Sequence, residues 1–368
     1  MRIAFTLEQC WHPVPGGTAV AALELARALV ALDDVELVGV SARHRGKPPD
    51  PWRPPIPVRQ LPLPRLALYE SWHRLRRPAV ERATGPVDVI HATGIAMPPA
   101  TRPIVSTVHD LAYLDYPEMF SRAGLRFFHR ALELTLTDAS LVLCSSRATL
   151  DRCLAAGFKP ARLRHVPLGV SVSRVTGEQV RETRTRHGLN RDYVLWTGTV
   201  EPRKNLGGLL QAFQRIDAPV DLALVGPTGW NDDLKSVLRA LPERVQARVH
   251  RLGWVGRDDL DALYVGASAF CFPSLLEGFG FPVVEAMAHG TPVVTSIDTS
   301  TEELVEDGAG VAVEPRDPDA IAAALTRVLL DPDFAEALRE RGRERAARYT
   351  WNATATLVRD AYVEATAA

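Results

Sequence analysis

The sequence has little of what marks a secreted, membrane-embedded or metal-clipped chain. Its 368 residues include four cysteines, Cys10, Cys144, Cys153 and Cys271. They are far apart with no C-x-x-C pair, so neither a disulfide framework nor a zinc site is suggested, and they read as buried thiols of a reducing cytosol. No stretch free of Asp, Glu, Lys and Arg exceeds 15 residues, whereas a membrane-spanning helix needs about 20 apolar residues. The apolar run at the start, Arg2 to Leu7, meets Glu8 too soon for a secretory leader, so a cytoplasmic protein is expected. G-x-G-x-x-G and the P-loop are both missing, which leaves dinucleotide redox and nucleoside-triphosphate hydrolysis without a motif. Net charge is nearly missing too, at -1, and with 46% hydrophobic residues this excludes a disordered chain.

What is present is length enough for about two domains and a charge split that the total conceals. Up to Val170 the chain carries 21 basic and 15 acidic residues, and beyond it 22 basic and 29 acidic. Two halves of opposite sign suggest two domains with different partners. The first half reads as strands at Arg2 to Leu7, Val35 to Val40, Val87 to His91, Ile104 to His109 and Leu141 to Cys144, with helix-compatible segments between them. A helix capped by Thr18 and running to Ala31 follows the Gly16-Gly17 loop. Eight prolines between Pro48 and Pro64 predict an irregular surface segment. The alternation restarts at Tyr193 to Thr197 and continues through Leu222 to Val225, Val249 to Leu252, Ala269 to Pro273 and Val293 to Thr295. Strands alternating with helices predict an α/β protein with two parallel, doubly wound sheets. The polar segment Ser171 to Asn190 reads as their connection, with the boundary near Leu168-Gly169-Val170, and Thr350 can cap a terminal helix from Trp351. The expected division is 1–168, 169–348 and a terminal helix within 349–368.

The residues that carry chemistry cluster in the second half. In Glu277-Gly278-Phe279-Gly280-Phe281-Pro282-Val283-Val284-Glu285 a Gly-rich turn leads into a helix with Pro in its first turn, and Gly290 closes that helix. Glu277 then lies in the loop and Glu285 within the helix, up to roughly 12 Å apart at about 1.5 Å per residue. That is too far for the acid and nucleophile of a retaining glycosidase, which sit about 5 Å apart. It suits two anchors on a long ligand, with the N–H groups of Phe279 and Gly280 between them as a diphosphate cradle. On the loop after an earlier strand, Gly198-Thr199-Val200-Glu201-Pro202-Arg203-Lys204 offers two adjacent cations able to stabilise a leaving diphosphate.

These motifs resemble the E-x7-E signature and its paired cations in glycosyltransferase family 4, whose members have the GT-B fold: two facing Rossmann-like domains, a cleft between them and a C-terminal helix that crosses back. The resemblance covers nearly the whole chain and implies a retaining glycosyltransferase. It implies that Glu277 approaches the donor sugar, Glu285 binds the ribose hydroxyls, and Arg203 and Lys204 hold the donor phosphates. His109, at a strand end in Ser106-Thr107-Val108-His109-Asp110-Leu111, resembles the family histidine that orients the donor sugar. Asp110 either fixes its tautomer or caps the next turn. Gly16-Gly17 resembles the family's loop near phosphates and acceptor, and Gly253-Trp254-Val255 the loop that touches the nucleobase, unless Trp254 is plain packing. The motif version around His109 is similar to the mannosyltransferase B-like branch, which favours mannose carried by GDP as donor.

Other signals are better explained locally. Asp317-Pro318-Asp319 and Asp331-Pro332-Asp333 have metal-site spacing but precede Ala/Leu-rich helices and read as caps, so no metal or other cofactor is expected. The chain lacks a recognisable nucleic-acid module, and no nucleic-acid partner is expected. Residues 43–82 hold ten basic and three acidic residues interleaved with Trp52, Leu61, Leu63, Tyr69 and Trp72. That pattern suits peripheral contact with an anionic membrane surface and a glycan, lipid-linked or small-molecule acceptor. Two rivals remain open at this stage: a sugar-nucleotide epimerase or glycoside phosphorylase of the same architecture, and a non-catalytic nucleotide-sugar binding protein.

Overall fold

The computed structural model describes residues 1–227, 229 and 234–367. The chain divides into two compact units: Met1–Gly169 with the terminal stretch from Thr350, and Val170–Tyr349. Ala368, the last residue of the expected terminal segment, lies outside the described residues.

In the first unit the strands are β1 (Arg2–Thr6), β2 (Glu36–Ser41), β3 (Val58–Gln60), β4 (Val89–Ala92), β5 (Ile104–Val108), β6 (Ala139–Cys144) and β7 (Leu163–His165). Among the described residues they form one sheet in the order β3-β2-β1-β4-β5-β6-β7. The second unit holds β8 (Tyr193–Thr197), β9 (Asp221–Val225), β10 (Val249–Gly253), β11 (Ala269–Phe272), β12 (Val293–Ser296) and β13 (Val311–Val313), ordered β10-β9-β8-β11-β12-β13. Every pairing is parallel. The central strands are apolar and buried on both faces, as a parallel sheet between helical layers requires. In each sheet the order reverses beside the first strand, between β1 and β4 and between β8 and β11, and this switch point is where such folds bind ligands.

Three expectations are corrected. The proline-rich segment is not wholly irregular: it contains β3, which pairs with β2 as the sheet's edge. Proline cannot donate to a ladder, but at an edge between Pro57 and Pro62 it need not. The segment Ser171 to Asn190 is not a bare connection. It contains the helix Gly177–Arg186 of the second unit, started by a capping box between Thr176 and Gln179. Few of its side chains are buried, so its apolar stripe is too thin to see in the sequence. The first helix begins at Gly16, not after Thr18, whose hydroxyl donates back to the carbonyl of Pro15 at 3.3 Å. Gly16 and Gly17 are therefore its first turn rather than a flexible loop.

The C-terminal helix, Trp351–Ala367, belongs to the first unit. Its buried face, Trp351, Thr354, Ala355, Val358, Ala361, Tyr362 and Ala365, recurs at helical spacing and packs on the first helix, Gly16–Val30, and on β4, β5 and β6. Tyr362 bonds His91 at 2.6 Å, and Thr354 donates to the carbonyl of Pro167 at 2.8 Å. A Cβ at Gly169 would lie 2.2 Å from the backbone nitrogen of Trp351, so only glycine lets these segments meet.

Candidate functional site

The second unit gathers its candidate residues where β8 and β11 end. After β8 the backbone passes Gly198 at φ 148°. A Cβ there would meet the Lys204 side chain at 3.0 Å, and one at Gly226 would strike the Gly198 carbonyl oxygen at 1.9 Å. The two glycines thus let neighbouring loops close and let Lys204 fold inward. Pro202–Lys204 makes one 3-10 turn, and Asn205 then caps the helix Leu206–Phe213 by accepting from the Gly208 N–H at 3.2 Å. That turn is clamped to the loop after β11, because the Arg203 carbonyl accepts from the Leu275 N–H at 2.7 Å and the Arg203 guanidinium donates to the Leu276 carbonyl at 3.1 Å.

Arg203, Lys204 and Glu277 consequently meet. Lys204 Nζ lies 3.0 Å and Arg203 Nη1 3.1 Å from Glu277 Oε1, while Arg203 Nε pairs with Glu201 at 2.9 Å. Lys204 Nζ also sits 4.6 Å from the centroid of the Phe272 ring. Burial by itself would raise the Glu277 pKa, but the adjacent Arg203 and Lys204 charges outweigh it and hold it at about 2. Burial draws Lys204 below its ordinary value, against the pull of Glu277. An ionised Glu277 accepts hydrogen bonds and donates none, and a carboxylate this acidic is a poor general base at neutral pH.

Glu285 has a different set of partners. It lies in the helix Phe281–Ala288, with Oε1 2.5 Å from Arg257 Nη1 and Oε2 accepting from the Tyr264 hydroxyl at 3.1 Å. Arg257 also pairs with buried Asp261 at 2.9 Å and donates to the Ser171 carbonyl, and His289 reaches the same Asp261 oxygen at 3.1 Å. Tyr264 OH lies 3.0 Å from Thr197 Oγ1 at the end of β8. Sequence reasoning missed Arg257, Asp261 and Tyr264. Their i, i+4, i+7 spacing on the helix Arg257–Gly266 was the available signal.

Within the linking loop, Gly280 at φ 104° is the N-cap of the Glu285 helix, and a Cβ there would meet Thr301 at 2.6 Å. Ser300 donates to the carbonyls of Glu277 and Phe279, on either side of Gly278, and the buried Phe279 ring packs on Phe281 and Tyr349. Phe279 thus has a packing role besides any contribution of its N–H. Trp254 is not packing: it is 68% exposed, at the rim of a concavity of about 440 Å³ lined by Val200, Gly226, Pro227, Arg251 and Gly253 among others. Val255 is outside that lining.

His109, Gly16 and Gly17 belong to the first unit. His109 Nε2 lies 3.0 Å from the Thr93 carbonyl, which can only accept, so Nε2 carries a proton. Burial pushes the ring's pKa down, which leaves it neutral with Nδ1 as its acceptor. Asp110 does not set that tautomer; it accepts from the Ala112 N–H at 3.0 Å and caps the next turn. Asp317 and Asp331 likewise cap helices, through the N–H groups of Asp319, Ala320 and Phe334.

The basic segment is rearranged relative to expectation. Trp72 is buried and donates to the Pro78 carbonyl at 2.9 Å, Tyr69 stacks on Trp72 and Phe127, and Leu61 is core. Arg76 is structural, donating to the carbonyls of Trp72, Met97 and Pro98 and pairing with Asp138. The outward residues are instead Leu66 and Leu75, 72% and 64% exposed, with Arg74 and Arg77.

Residues 15–174 match the family described as Glycosyltransferase Family 4, and residues 179–345 the one described as Glycosyl transferases group 1. The chain is 31% identical to O-antigen chain mannosyltransferase B of Escherichia coli, over 98% of this chain and 99% of that protein. It is 28% identical to the phosphatidyl-myo-inositol mannosyltransferase of Mycolicibacterium smegmatis, over 95% and 90%. Among solved structures it is similar to Anabaena Alr3699/HepE in complex with UDP-glucose, with a TM-score of 0.77 at 21% identity and full coverage of both chains. It is also similar to WaaG, a glycosyltransferase involved in lipopolysaccharide biosynthesis, with a TM-score of 0.76 at 17% identity over 97% and 98%.

Proposed function

Because this chain belongs to glycosyltransferase family 4 and is a glycosyltransferase of GT-B architecture, we propose that it moves a hexose from a nucleotide diphosphate sugar to an acceptor hydroxyl with retention of configuration. The acceptor is a glycan, lipid-linked or small-molecule hydroxyl. Mannose carried by GDP is the favoured donor, a choice supported by the two mannosyltransferase relatives. The observation that carries the scheme is the convergence of Arg203 and Lys204 on Glu277.

In this scheme the anomeric carbon's bond to the phosphate oxygen breaks as the acceptor oxygen bonds the same face. The acceptor's proton passes to the leaving phosphate, and Arg203 and Lys204 stabilise the charge that develops there, so the scheme needs no divalent metal. Glu277 accepts hydrogen bonds from the sugar hydroxyls, and its acidity argues against its taking the acceptor proton. Glu285 takes the ribose hydroxyls, Trp254 and its loop the base, and His109 offers Nδ1 to a sugar hydroxyl. Gly16, Gly17 and the Gly278 to Gly280 turn are assigned to the phosphates as helix starts. We place the protein in the cytoplasm, touching the inner membrane face through Leu66, Leu75, Arg74 and Arg77. Among the described residues no helix is long and apolar enough to cross a membrane.

A thermal-shift panel of GDP, UDP and dTDP tests the donor, since ligand at 100 times its dissociation constant adds about 2.7 kcal/mol. GDP should stabilise most, and stabilisation by none of the three would sink the scheme. Product analysis then separates the rivals. Epimerised donor without acceptor would mean an epimerase, and bound donor with no nucleotide released under any acceptor would mean a binding protein.

A further inference from the structure

A second group of aromatic and polar side chains lies in the first unit, where β1 and β2 end, and the scheme above uses none of it. Beyond β1 the chain makes a single 3-10 turn, Glu8–Trp11. Glu8 is buried, accepts from the Ala42 N–H at 2.8 Å and lies 2.9 Å from His44 Nε2, so it fixes the exit of β2. Gln9 donates to Thr93 Oγ1 at 2.8 Å, and Thr93 is the residue whose carbonyl holds His109. Trp11 stacks on His44 with ring centroids 4.8 Å apart and planes 10° from parallel, and its Nε1 donates to the Gly46 carbonyl at 3.0 Å. The Trp11 ring is thus held in place while only half-buried; it fills no core.

The next residue supplies an unmet requirement. His12 Nε2 is buried and has no hydrogen-bond partner. Burial, then the nearby charges of Arg65 and His44, push the ring's pKa down to about 4, so it is neutral at physiological pH. Leaving such a nitrogen unpaired is costly. Arg65 opens the helix Arg65–Leu75 and makes no ion pair among the described residues. It is brought near the exit of β2 because the Arg43 N–H donates to the Leu63 carbonyl at 2.8 Å.

A fixed aromatic face next in the chain to an unpartnered imidazole nitrogen, beyond the carboxyl ends of strands beside a switch point, has the composition of a small-molecule site. We propose that this cluster is a saccharide subsite, in which the stacked Trp11 and His44 support a pyranose ring and His12 and Arg65 hydrogen-bond its hydroxyls. Resting on the glycosyltransferase scheme, this makes the acceptor a glycan rather than a bare lipid or a simple alcohol. The link from Gln9 through Thr93 to His109 puts the subsite beside the residue assigned to the donor sugar.

Saturation-transfer NMR on the full chain, with the methyl glycosides of mannose, glucose, galactose, N-acetylglucosamine and rhamnose as probes, tests it. At least one glycoside should bind, and His12→Ala and Trp11→Ala should each weaken it roughly tenfold, with Trp11→Phe retaining part of the platform. If Trp11→Ala melts early, His12→Ala decides. No binding by any probe, or equal binding in wild type and His12→Ala, would overturn the subsite. So would binding that survives both substitutions and disappears in Glu277→Gln, which would put the sugar in the donor site. The nucleotide panel separates the two ideas. A stabilising nucleotide with no bound glycoside overturns the subsite alone, and His12-dependent glycoside binding with no stabilising nucleotide supports the subsite and overturns the transfer scheme.

Discussion

Lys204 Nζ and Glu277 Oε1 are 3.0 Å apart, though the residues come from loops after different strands and both are buried. Each is the other's means of remaining charged away from water. Lys204→Ala should therefore cost stability as well as activity, about 3 kcal/mol on denaturant unfolding, because a buried carboxylate loses one of its two cations. Turnover at limiting donor should fall by more than tenfold. Unchanged stability and unchanged turnover together would mean that the pair is neither structural nor catalytic.

The same pair predicts an acid limb. Glu277 is held at about 2 when folded, against 4.5 for an ordinary glutamate. A depressed carboxylate contributes stability fully above its unfolded pKa and loses it as pH falls through the folded one, so the loss falls between about pH 4.5 and 2. Its size is at most about 3 kcal/mol at one unit per 1.36 kcal/mol. Glu277→Gln should flatten unfolding free energy against pH in that window, and a slope identical to wild type would contradict the assignment.

Arg257 touches Glu285 and not Glu277, so its effect on turnover should lie in donor binding, beside the stability lost when buried Asp261 gives up its cation. Arg257→Ala should raise the donor KM roughly tenfold with little change in kcat, the signature of lost uniform binding, and Arg257→Lys should recover part of it. The comparison of GDP with 2′-deoxy-GDP sharpens the test, because a carboxylate that has lost its support should discriminate less between them. A kcat effect at unchanged KM would reassign Arg257 to the chemical step.

Arginines of the basic segment should separate into two kinds. Arg76→Ala leaves three buried carbonyls and Asp138 short of a donor and should destabilise the chain by about 3 kcal/mol. Arg74→Ala and Arg77→Ala should leave the melting temperature alone and reduce co-sedimentation with anionic liposomes. Co-sedimentation that ignores both lipid charge and these two substitutions would end the membrane proposal.

Much of the architecture is legible in the sequence because a buried parallel strand is an uninterrupted apolar run, as in Tyr193 to Trp196 or Ala269 to Phe272. The three-residue strands β3, β7 and β13 are not, since a short strand beside proline or at a sheet's edge carries almost no pattern. The helix Gly177–Arg186 escaped for the related reason that it buries little. At the site, the spacing of Glu277 and Glu285 sets them apart along the chain, and in the structure their partners differ: Arg257 and Tyr264 for Glu285, Arg203 and Lys204 for Glu277.

By itself the sequence determines the two doubly wound sheets, the turns that glycine permits, the helix caps at Asp317 and Asp331, and the presence of cations and carboxylates at strand ends. Those follow from local periodicity and from single-residue stereochemistry. Only the tertiary structure decides which charges meet, that Trp72 and Arg76 turn inward while Leu66 and Leu75 face out, and that Trp11 comes to rest on His44. Such pairings join residues that are distant along the chain, and they depend on burial, whose cost and field no local pattern encodes.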